Sequence, residues 1–203
     1  MINKYGVWGV VKLTISWMYT KLFFSGARLI RLPFDIRNRR FIKIGERFTT
    51  GFGCRVEAHP LNKLSSPCIL IGSDVQINDY VHIAAAESVV IGDGVLIASK
   101  VYISDINHGL YKGQMQSSPL TPPNKRDLSS NPVIIEKNVW IGEGVCVMPG
   151  AIIGSGSIIG AMSVVTKHIP PNSIAVGNPA KVIKVFNFGN NSWQPISSSK
   201  IVQ

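Results

Sequence analysis

An aliphatic side chain recurs at every sixth position over long stretches of this sequence, and this period constrains the fold more than any other feature. It runs without interruption from Ile135 to Val165, and the same spacing appears earlier in residues 71–89 and 91–103. An α-helix advances about 100° per residue, so positions six apart do not share a helical face. A six-residue unit made of a short strand and a turn does return a side chain to the same place. The uninterrupted run comprises Ile135, Ile141, Val147, Ile153, Ile159 and Val165.

Three such units close a triangular coil of about 18 residues, and stacked coils align their aliphatic side chains into internal ladders. Glycines follow several aliphatic positions, at Gly142, Gly154 and Gly160, where they relieve crowding and permit unusual backbone angles at the corners. The sequence therefore predicts an all-β protein whose core is a parallel β-helix. A second ladder is expected from the residues four positions after each aliphatic, which are Val75, Val81, Val95, Val101, Val139, Val145, Ala151, Ser157 and Ser163.

The six-residue period is interrupted in three places. Residues 58–70 are predicted to form a loop or an irregular coil, and a two-residue slip separates Val89 from Ile91. The stretch from His108 to Pro132 has no period and is rich in Pro, Ser and polar residues. Because connections of this length without secondary structure are usually functional, we expect this stretch to form a protruding loop that contributes to a site.

The net charge of +10 is concentrated in the first 43 residues, which carry nine Lys or Arg and one Asp, a local charge of +8. A nucleic-acid-binding protein would spread its basic surface over the fold, so no nucleic-acid partner is expected. The apolar run from Tyr5 to Phe24 contains Lys12 and Lys21, which argues against a transmembrane helix. A signal peptide requires a small-residue cleavage site after its apolar core, and this run is not a convincing match to that pattern.

An amphipathic helix is predicted within the basic N-terminal segment. It packs either on the main domain or a neighbouring subunit, or it lies on an anionic membrane surface. The sequence is accordingly divided into an N-terminal segment over 1–40, a β-helix domain over 41–185 with a protruding loop over 109–132, and a loose C-terminal tail over 186–203. The helix is indicated by apolar residues at spacings of three and four, namely Trp8, Val11, Ile15, Met18 and Leu22.

The three cysteines, Cys54, Cys68 and Cys146, are an odd number and have no C-x-x-C spacing. Cys146 lies inside an apolar run and is predicted to be a buried free thiol. Free thiols fit a reducing compartment, so a cytoplasmic location is expected, at the inner face of the cytoplasmic membrane if the N-terminal helix binds lipid.

Three segments together resemble a known family. Residues 91–109 (IGDGVLIASKVYISDINHG), residues 138–167 with their WIG element, and the ending PPNSIAVGNPAKVIK at 170–184 are similar to the galactoside, maltose and O-antigen sugar O-acetyltransferases. The resemblance covers about Ile71 to Lys184. It implies a left-handed β-helix, acetyl-CoA as the acyl donor, and a homotrimer with each site at a subunit boundary. The first 65 residues look like the basic leaders of acetyltransferases from polysaccharide gene clusters, which implies a cell-surface glycan as the acceptor.

The resemblance also implies roles for individual residues. His108, in DINHG, falls where the family has its general base, and Asn78 falls where an Asn contacts the acceptor. His82 is interpreted from its place on a coil as a surface or acceptor-groove residue. The positions that match the family's coenzyme A contacts are Trp140, Ala161, Thr166, Lys167, Pro179, Lys181 and Lys184; Lys at the last two replaces the Arg of some members and lacks its bidentate geometry.

Transfer of an acetyl group from a thioester to an alcohol requires a base with a pKa near the working pH, and imidazole qualifies. His108 ends the six-residue period at the mouth of the loop, which is a suitable place for such a base. Asp105 is either an orienting partner for His108 or a solvated turn residue. Lys125 and Arg126 of the loop either meet an anionic acceptor or are simply solvated. His59 and His168 are interpreted as a loop residue and a solvent-facing residue.

Two other classes of function remain open on the sequence alone. A zinc hydratase of the γ-carbonic anhydrase type needs three converging histidines, and only His82 and His108 are placed to meet, so no metal is expected. A non-catalytic β-helix scaffold at a membrane surface gains support only from the basic leader. Within the acetyltransferases, an antibiotic, a serine hydroxyl or a nucleotide-sugar amine are alternative acceptors.

Overall fold

The computed structural model describes residues 2–61 and 67–196. Most strands belong to three parallel sheets, which form the sides of a three-sided prism. The chain passes over face 1, face 2 and face 3 in turn and climbs one rung with each circuit. Face 1 comprises β1 (Phe34–Arg37), β4 (Cys54–Ala58), β7 (His82–Ala85), β10 (Tyr102–Ser104), β15 (Cys146–Val147) and β18 (Val164–Val165).

The other two faces are built in the same way. Face 2 comprises β2 (Ile42–Ile44), β5 (Ile69–Ile71), β8 (Val89–Ile91), β13 (Val133–Ile135) and β16 (Ile152–Ile153). Face 3 comprises β3 (Thr49–Thr50), β6 (Gln76–Ile77), β9 (Leu96–Ile97), β14 (Trp140–Ile141), β17 (Ile158–Ile159) and β19 (Ser173–Val176). Two further strands, β11 (Ile106–His108) and β12 (Leu128–Ser130), form a separate antiparallel hairpin.

The strand register stacks the predicted aliphatic positions on one another. On face 1, Ile83 of β7 lies between Val56 below and Ile103 above, and Ile103 is followed by Val147 and Val165. All of these side chains are fully buried, as are the second-ladder positions from Val75 to Ser163. The predicted parallel β-helix core is therefore confirmed, and its interior is mainly aliphatic, with Ser157 and Ser163 among the inward positions. The glycines allow the coils to stack closely: a Cβ added at Gly142 would lie 2.6 Å from the backbone nitrogen of the next coil.

The three interruptions of the period all fall at one corner of the prism. The irregular stretch after β4 and the long loop after β10 each connect face 1 to face 2. The two extra residues, expected between Val89 and Ile91, lie instead between β7 and β8, because Val89–Ile91 is a regular strand; this is also a connection from face 1 to face 2. The described ends of these three connections therefore stack above one another at this corner. Loops tolerate irregular backbone where a core strand cannot, which explains why the insertions are confined to this corner.

Helix α1 (Ile2–Phe23), with a non-helical break at Gly6, closes the N-terminal end of the prism. Thr20 Oγ1 accepts a hydrogen bond of 2.8 Å from the backbone nitrogen of Ile30, and Ser16 Oγ accepts one of 3.2 Å from that of Leu32. Both partners lie in the lowest rung, where residue 29 bridges to β3. Phe24 continues from the helix into the core. No helix in the described residues is long and apolar enough to cross a membrane.

The face of α1 that packs on the domain differs from the apolar stripe of the sequence. The buried face consists of small polar side chains, Ser16 and Thr20, because they reach backbone groups of the lowest rung. The predicted apolar stripe points away from the domain, so packing on the main domain is excluded for it. The exposed fraction is 78% for Trp8, 41% for Val11, 52% for Ile15, 60% for Met18 and 76% for Leu22.

Two further differences from the sequence analysis concern Cys146 and the C-terminus. Cys146 is half-buried and faces outward on face 1, because the inward position belongs to its neighbour Val147. Residues 186–196 of the expected loose tail are ordered as the end of β20 (Lys181–Asn187) and β21 (Ser192–Pro195), which extend face 3 as an antiparallel hairpin. The rest of that tail, residues 197–203, lies outside the described residues, as do residues 62–66 of the irregular stretch.

Candidate active site

The long loop folds back over face 1 and covers a cavity there. Its two ends pair as β11 and β12, with His108 opposite Leu128. The Tyr111 hydroxyl donates to the His108 carbonyl, and Arg126 Nη1 donates to that hydroxyl at 2.8 Å. Arg126 Nε also donates to the Thr121 carbonyl at 2.8 Å. Arg126 thus holds the loop in shape, whereas Lys125 is solvated.

The covered cavity has a volume of about 250 Å³. This is slightly below the range of about 300–1,000 Å³ that is typical for pockets of drug-sized ligands, so it suits a group about as large as one sugar ring. Its floor is the outer surface of β4, β7 and β10, and its roof is the hairpin. The lining residues are Glu57, His59, His82, Ala84, Tyr102, Ser104, Ile106, His108 and Leu128.

The floor of the cavity is organised around the carboxylate of Glu57, whose side chain is 8% exposed. His82 Nε2 lies 2.7 Å from Oε1, and Arg37 Nη1 donates to Oε2 at 3.1 Å. Arg55 Nη2 lies 3.4 Å from Oε1, and His59 Nε2 lies 3.6 Å from Oε2. Four basic side chains therefore surround one nearly buried carboxylate, which is the arrangement that a buried charge requires.

These neighbours favour the ionised form of Glu57. Burial alone would raise the pKa of the Glu57 carboxyl, but the hydrogen bond from His82 and the charge of Arg55 outweigh it and lower that pKa. Because an ionised carboxylate only accepts hydrogen bonds, His82 Nε2 is the donor, and Nδ1 is left to accept when the ring is neutral. The His82 ring packs at 5.2 Å on the ring of Tyr102, which fixes its orientation further.

His108 is placed differently from His82. It is exposed at the end of β11, and its imidazole has no hydrogen-bond or ion-pair partner among the residues that the structure describes. Asp105, three residues earlier, does not orient it. The Asp105 carboxylate is fully buried and accepts backbone N–H groups of residues 86, 87 and 88 at 2.7–2.8 Å. Asp105 therefore fixes the corner from which the loop departs, and His108 keeps a free imidazole at the cavity rim.

The structure brings together two of the residues singled out from the sequence, His82 and His108. Asn78 follows β6 at the corner between faces 3 and 1 and does not line the cavity. Trp140 points outward from face 3 and is 49% exposed. The remaining positions lie at other corners or on the face 3 hairpin: Ala161 between β17 and β18, Thr166 and Lys167 after β18, Pro179 before β20, and Lys181 and Lys184 on β20.

This distribution has a geometric consequence. His108 lies at the corner between faces 1 and 2, and that corner of a three-sided prism is opposite face 3, which carries Trp140. The two side chains therefore do not share a cavity within one copy of the chain. Residues that match the donor and acceptor sides of a transferase are spread over the whole circumference.

Sequence reasoning missed Glu57, Tyr102 and the contribution of His59, which was interpreted as a loop residue only. The register explains the omission. Glu57 and His82 are 25 residues apart rather than one 18-residue coil, because the irregular stretch lies between them. Aligning Val56 with Ile83 as inward positions would have been the signal that places their neighbours on one surface.

Comparisons with known proteins agree with this fold. The family description "Bacterial transferase hexapeptide (six repeats)" matches residues 132–167. Over 195 residues the chain is 45% identical to the putative lipopolysaccharide biosynthesis O-acetyl transferase WbbJ of Escherichia coli K12, an alignment that covers 96% of this chain and 97% of that protein. It is 40% identical over 124 residues to the galactoside O-acetyltransferase of the same organism, across 59% of this chain and 55% of that enzyme.

A solved structure matches the chain over most of its length. It is a mutant of the N-acyltransferase AntD from Bacillus cereus in complex with dTDP-4-amino-4,6-dideoxyglucose and coenzyme A, with a TM-score of 0.64, 24% identity, and coverage of 85% of this chain and 91% of that one. At this identity the likeness concerns the fold alone. The expected fold class, a left-handed parallel β-helix with an N-terminal helix and a protruding loop, is confirmed. Among the described residues, no three His, Cys, Asp or Glu side chains are grouped to hold a metal ion.

Proposed function

Because the chain belongs to the bacterial hexapeptide-repeat transferases, we propose that it is an acetyl-CoA-dependent O-acetyltransferase that acts on a sugar hydroxyl of a cell-surface polysaccharide or its precursor. The observation that carries the proposal is the 45% identity to WbbJ across nearly the full length of both chains. The cavity on face 1 supports it, since three imidazoles line it: that of His108 at the rim and those of His59 and His82 beside Glu57.

In the proposed reaction, His108 is the general base. Its imidazole takes the proton of the acceptor hydroxyl while the hydroxyl oxygen attacks the thioester carbonyl carbon of acetyl-CoA. The C–S bond then breaks, and the imidazolium returns its proton to the leaving thiolate. An exposed imidazole without a hydrogen-bond partner suits this role because imidazole is the side chain that most often serves as a general base in enzymes. His82 and Asn78 are assigned to the acceptor, and Trp140 and the positions from Ala161 to Lys184 to coenzyme A.

A homotrimer accounts for the separation of these groups in one copy. In such a trimer, three prisms pack side by side around a threefold axis that is parallel to the long axis of each prism. This packing would bring face 3 of one copy against the face 1 cavity of the next. Each site would then combine His108 of one copy with Trp140 of its neighbour. Three equivalent sites result, and each lies at a subunit boundary.

The enzyme is assigned to the cytoplasm, where acetyl-CoA is available and where free thiols persist. Cys54, Cys68 and Cys146 are all unpaired, which fits a reducing compartment. Residues 1–40 are assigned to peripheral contact with the anionic inner face of the cytoplasmic membrane, because they hold most of the excess positive charge.

The experiment is acetyl transfer by the purified chain. Release of coenzyme A thiol is followed with a panel of hexoses and oligosaccharides, and products are examined by mass spectrometry. Mild alkali cleaves an ester product and leaves an amide intact, so the assay separates a sugar hydroxyl from a nucleotide-sugar amine. His108→Ala is expected to abolish transfer, whereas His168→Ala, an exposed histidine on the last coil, retains it. Undiminished transfer by His108→Ala would disprove the assigned base.

The acceptor is tested in cells. Cell-surface polysaccharide from cells with and without the gene is compared by mass spectrometry, and loss of O-acetyl groups without the gene is expected. An unchanged polysaccharide would favour a small soluble acceptor such as an antibiotic or a serine hydroxyl.

A further inference from the structure

The exposed apolar stripe of α1 is flanked by positive charge on both sides. With about 100° per residue, Lys12 and Lys21 fall on opposite edges of the stripe, between it and the buried face. Both are exposed, and neither has an ion-pair partner among the described residues. The stripe contains Trp8, and Trp17, one turn before Lys21 on the far side of that lysine from the stripe, is 53% exposed. Tryptophan beside lysine at the edge of an apolar surface is typical of helices that lie in a bilayer interface.

The same end of the prism carries further basic residues. Arg39 and Arg40 follow β1, and Lys43 is on β2, the lowest strand of face 2. All three are exposed, and none has an acidic partner among the described residues. Together with α1 they form a positively charged apolar end, and the rest of the chain is close to neutral.

The charge decides between two occupants of the stripe. A second copy would bring two segments of charge about +8 together, and this like-charge contact is unfavourable. Anionic lipid headgroups complement the same charge. In addition, the side-by-side trimer uses the lateral faces and leaves the prism end free.

The acceptor cavity lies close to this end. On face 1 the order of strands from the end is β1, β4, β7 and β10, and the cavity floor consists of the second to fourth of these. With about 4.8 Å between neighbouring strands, the cavity lies about 5–15 Å above β1. Arg37 of β1 donates a hydrogen bond to Glu57, which lines the cavity. The hairpin that carries the nucleotide-side positions Lys181 and Lys184 lies at the opposite end.

We infer that α1 docks the prism end-on to an anionic bilayer and that the acceptor is a sugar carried by a lipid of that bilayer. A sugar linked to a membrane lipid stands within a few ångströms of the headgroups, which is where the docked protein holds its cavity. Acetyl-CoA would enter from the aqueous side. This inference rests on the proposed acetyltransferase function. It specifies the acceptor as a membrane-bound sugar rather than a free or nucleotide-linked one.

Docking is tested first, without any activity measurement. The full chain is sedimented with phosphatidylcholine vesicles that contain or lack phosphatidylglycerol. We expect at least tenfold more binding to the anionic vesicles, and weaker binding at high salt. The double variant Trp8→Glu/Leu22→Glu is expected to lose that binding. Phe188→Glu is the matched control, because Phe188 is 68% exposed on the hairpin at the opposite end.

Two outcomes of the sedimentation would overturn the inference. Equal binding of the double variant and the wild type would show that the stripe does not contact lipid. A change of oligomeric state in the double variant, measured by light scattering, would assign the stripe to a second copy instead.

The acceptor class is tested by presenting one hexose in two forms. The hexose is linked to a long-chain polyprenyl phosphate in anionic vesicles, or supplied as its methyl glycoside in solution. The double variant is expected to lose at least tenfold of the transfer to the vesicle-bound hexose and to keep transfer to the soluble one. Equal effects on both forms would overturn the lipid-carried acceptor. Absence of wild-type transfer to either form, over a panel of hexoses, would contradict the proposed function and leave the sedimentation result intact.

Discussion

His82 Nε2 lies 2.7 Å from Oε1 of Glu57, so the second imidazole of the cavity is held by a nearly buried carboxylate. We expect Glu57→Gln to lower kcat/KM by about 10-fold to 100-fold, because a hydrogen bond to a charged group is worth about 1.5–3 kcal/mol. The loss should appear mainly in KM for the acceptor, since His82 is assigned to acceptor binding. Steady-state kinetics with varied acceptor measures it. Glu46→Gln, a highly exposed carboxylate, is the control, and an equal loss there would contradict the assignment.

The same carboxylate makes stability depend on pH. The pKa of Glu57 lies below its ordinary value of 4.5, so the ionised form stabilises the fold. The wild type should therefore be more stable than Glu57→Gln above about pH 4.5, and the difference should vanish as the pH falls through the lowered pKa. Urea denaturation of both proteins between pH 7 and pH 3 measures this difference. Asp74, whose pKa is lowered by Arg47, is present in both proteins, so its contribution to the pH dependence cancels in the difference. A pH-independent difference would refute the prediction.

Asp105 should behave as a structural residue. Its carboxylate accepts three backbone N–H groups with no exposure to solvent, and hydrogen bonds to a charged group contribute about 1.5–3 kcal/mol each. Asp105→Ala should therefore lower the free energy of unfolding by about 3 kcal/mol or more. Asp127→Ala, at an exposed position of the same loop, should change it by less than about 0.5 kcal/mol. If Asp105 instead oriented His108, Asp105→Asn would shift the pH profile of kcat, and we expect no shift.

The β-helix was predictable because the aliphatic residue of each hexad marks the inward position, and the same spacing recurs in the neighbouring coils. Ile83 and Ile103 stack in the core, and their neighbours His82 and Tyr102 therefore stack on the outer surface of the same two strands. The cavity was not predictable, because the insertion after β4 makes this coil longer than 18 residues. The sequence spacing therefore gave no sign that Glu57 and His82 are neighbours. For α1 the pattern predicted the helix, but its buried side was decided by hydrogen bonds that Ser16 and Thr20 accept from backbone N–H groups, and these polar residues have no apolar pattern.

The inward and outward positions of one strand predict opposite sensitivities. Ile135 is fully buried in the core, whereas its neighbour Ile134 on β13 is 36% exposed. Ile135→Ala should cost about 2–5 kcal/mol of stability, because it leaves a cavity between stacked coils. Ile134→Ala should cost about 1 kcal/mol or less. Thermal or urea unfolding of the two variants measures the difference. Equal losses would contradict the assignment of Ile134 to the solvent-facing side of face 2.

The opposition of His108 and Trp140 across the prism leads to a complementation experiment. If each site combines His108 of one copy with Trp140 of the next, then His108→Ala and Trp140→Ala trimers are both impaired at every site. Unfolding the two variants together and refolding them at equal amounts yields mixed trimers. A site then contains both wild-type side chains with a probability of one half times one half, so about a quarter of wild-type activity should return.

The separately refolded variants, mixed only afterwards, are the control for this experiment and should stay inactive. Recovery requires that the two residues come from different copies, because a site built within one copy would carry the same defect in every mixture. Absence of recovery, with mixed trimers demonstrated by mass spectrometry, would place both residues in one copy's site. That outcome conflicts with their positions on opposite sides of the prism and would require the loop over residues 109–132 to reorganise when coenzyme A binds.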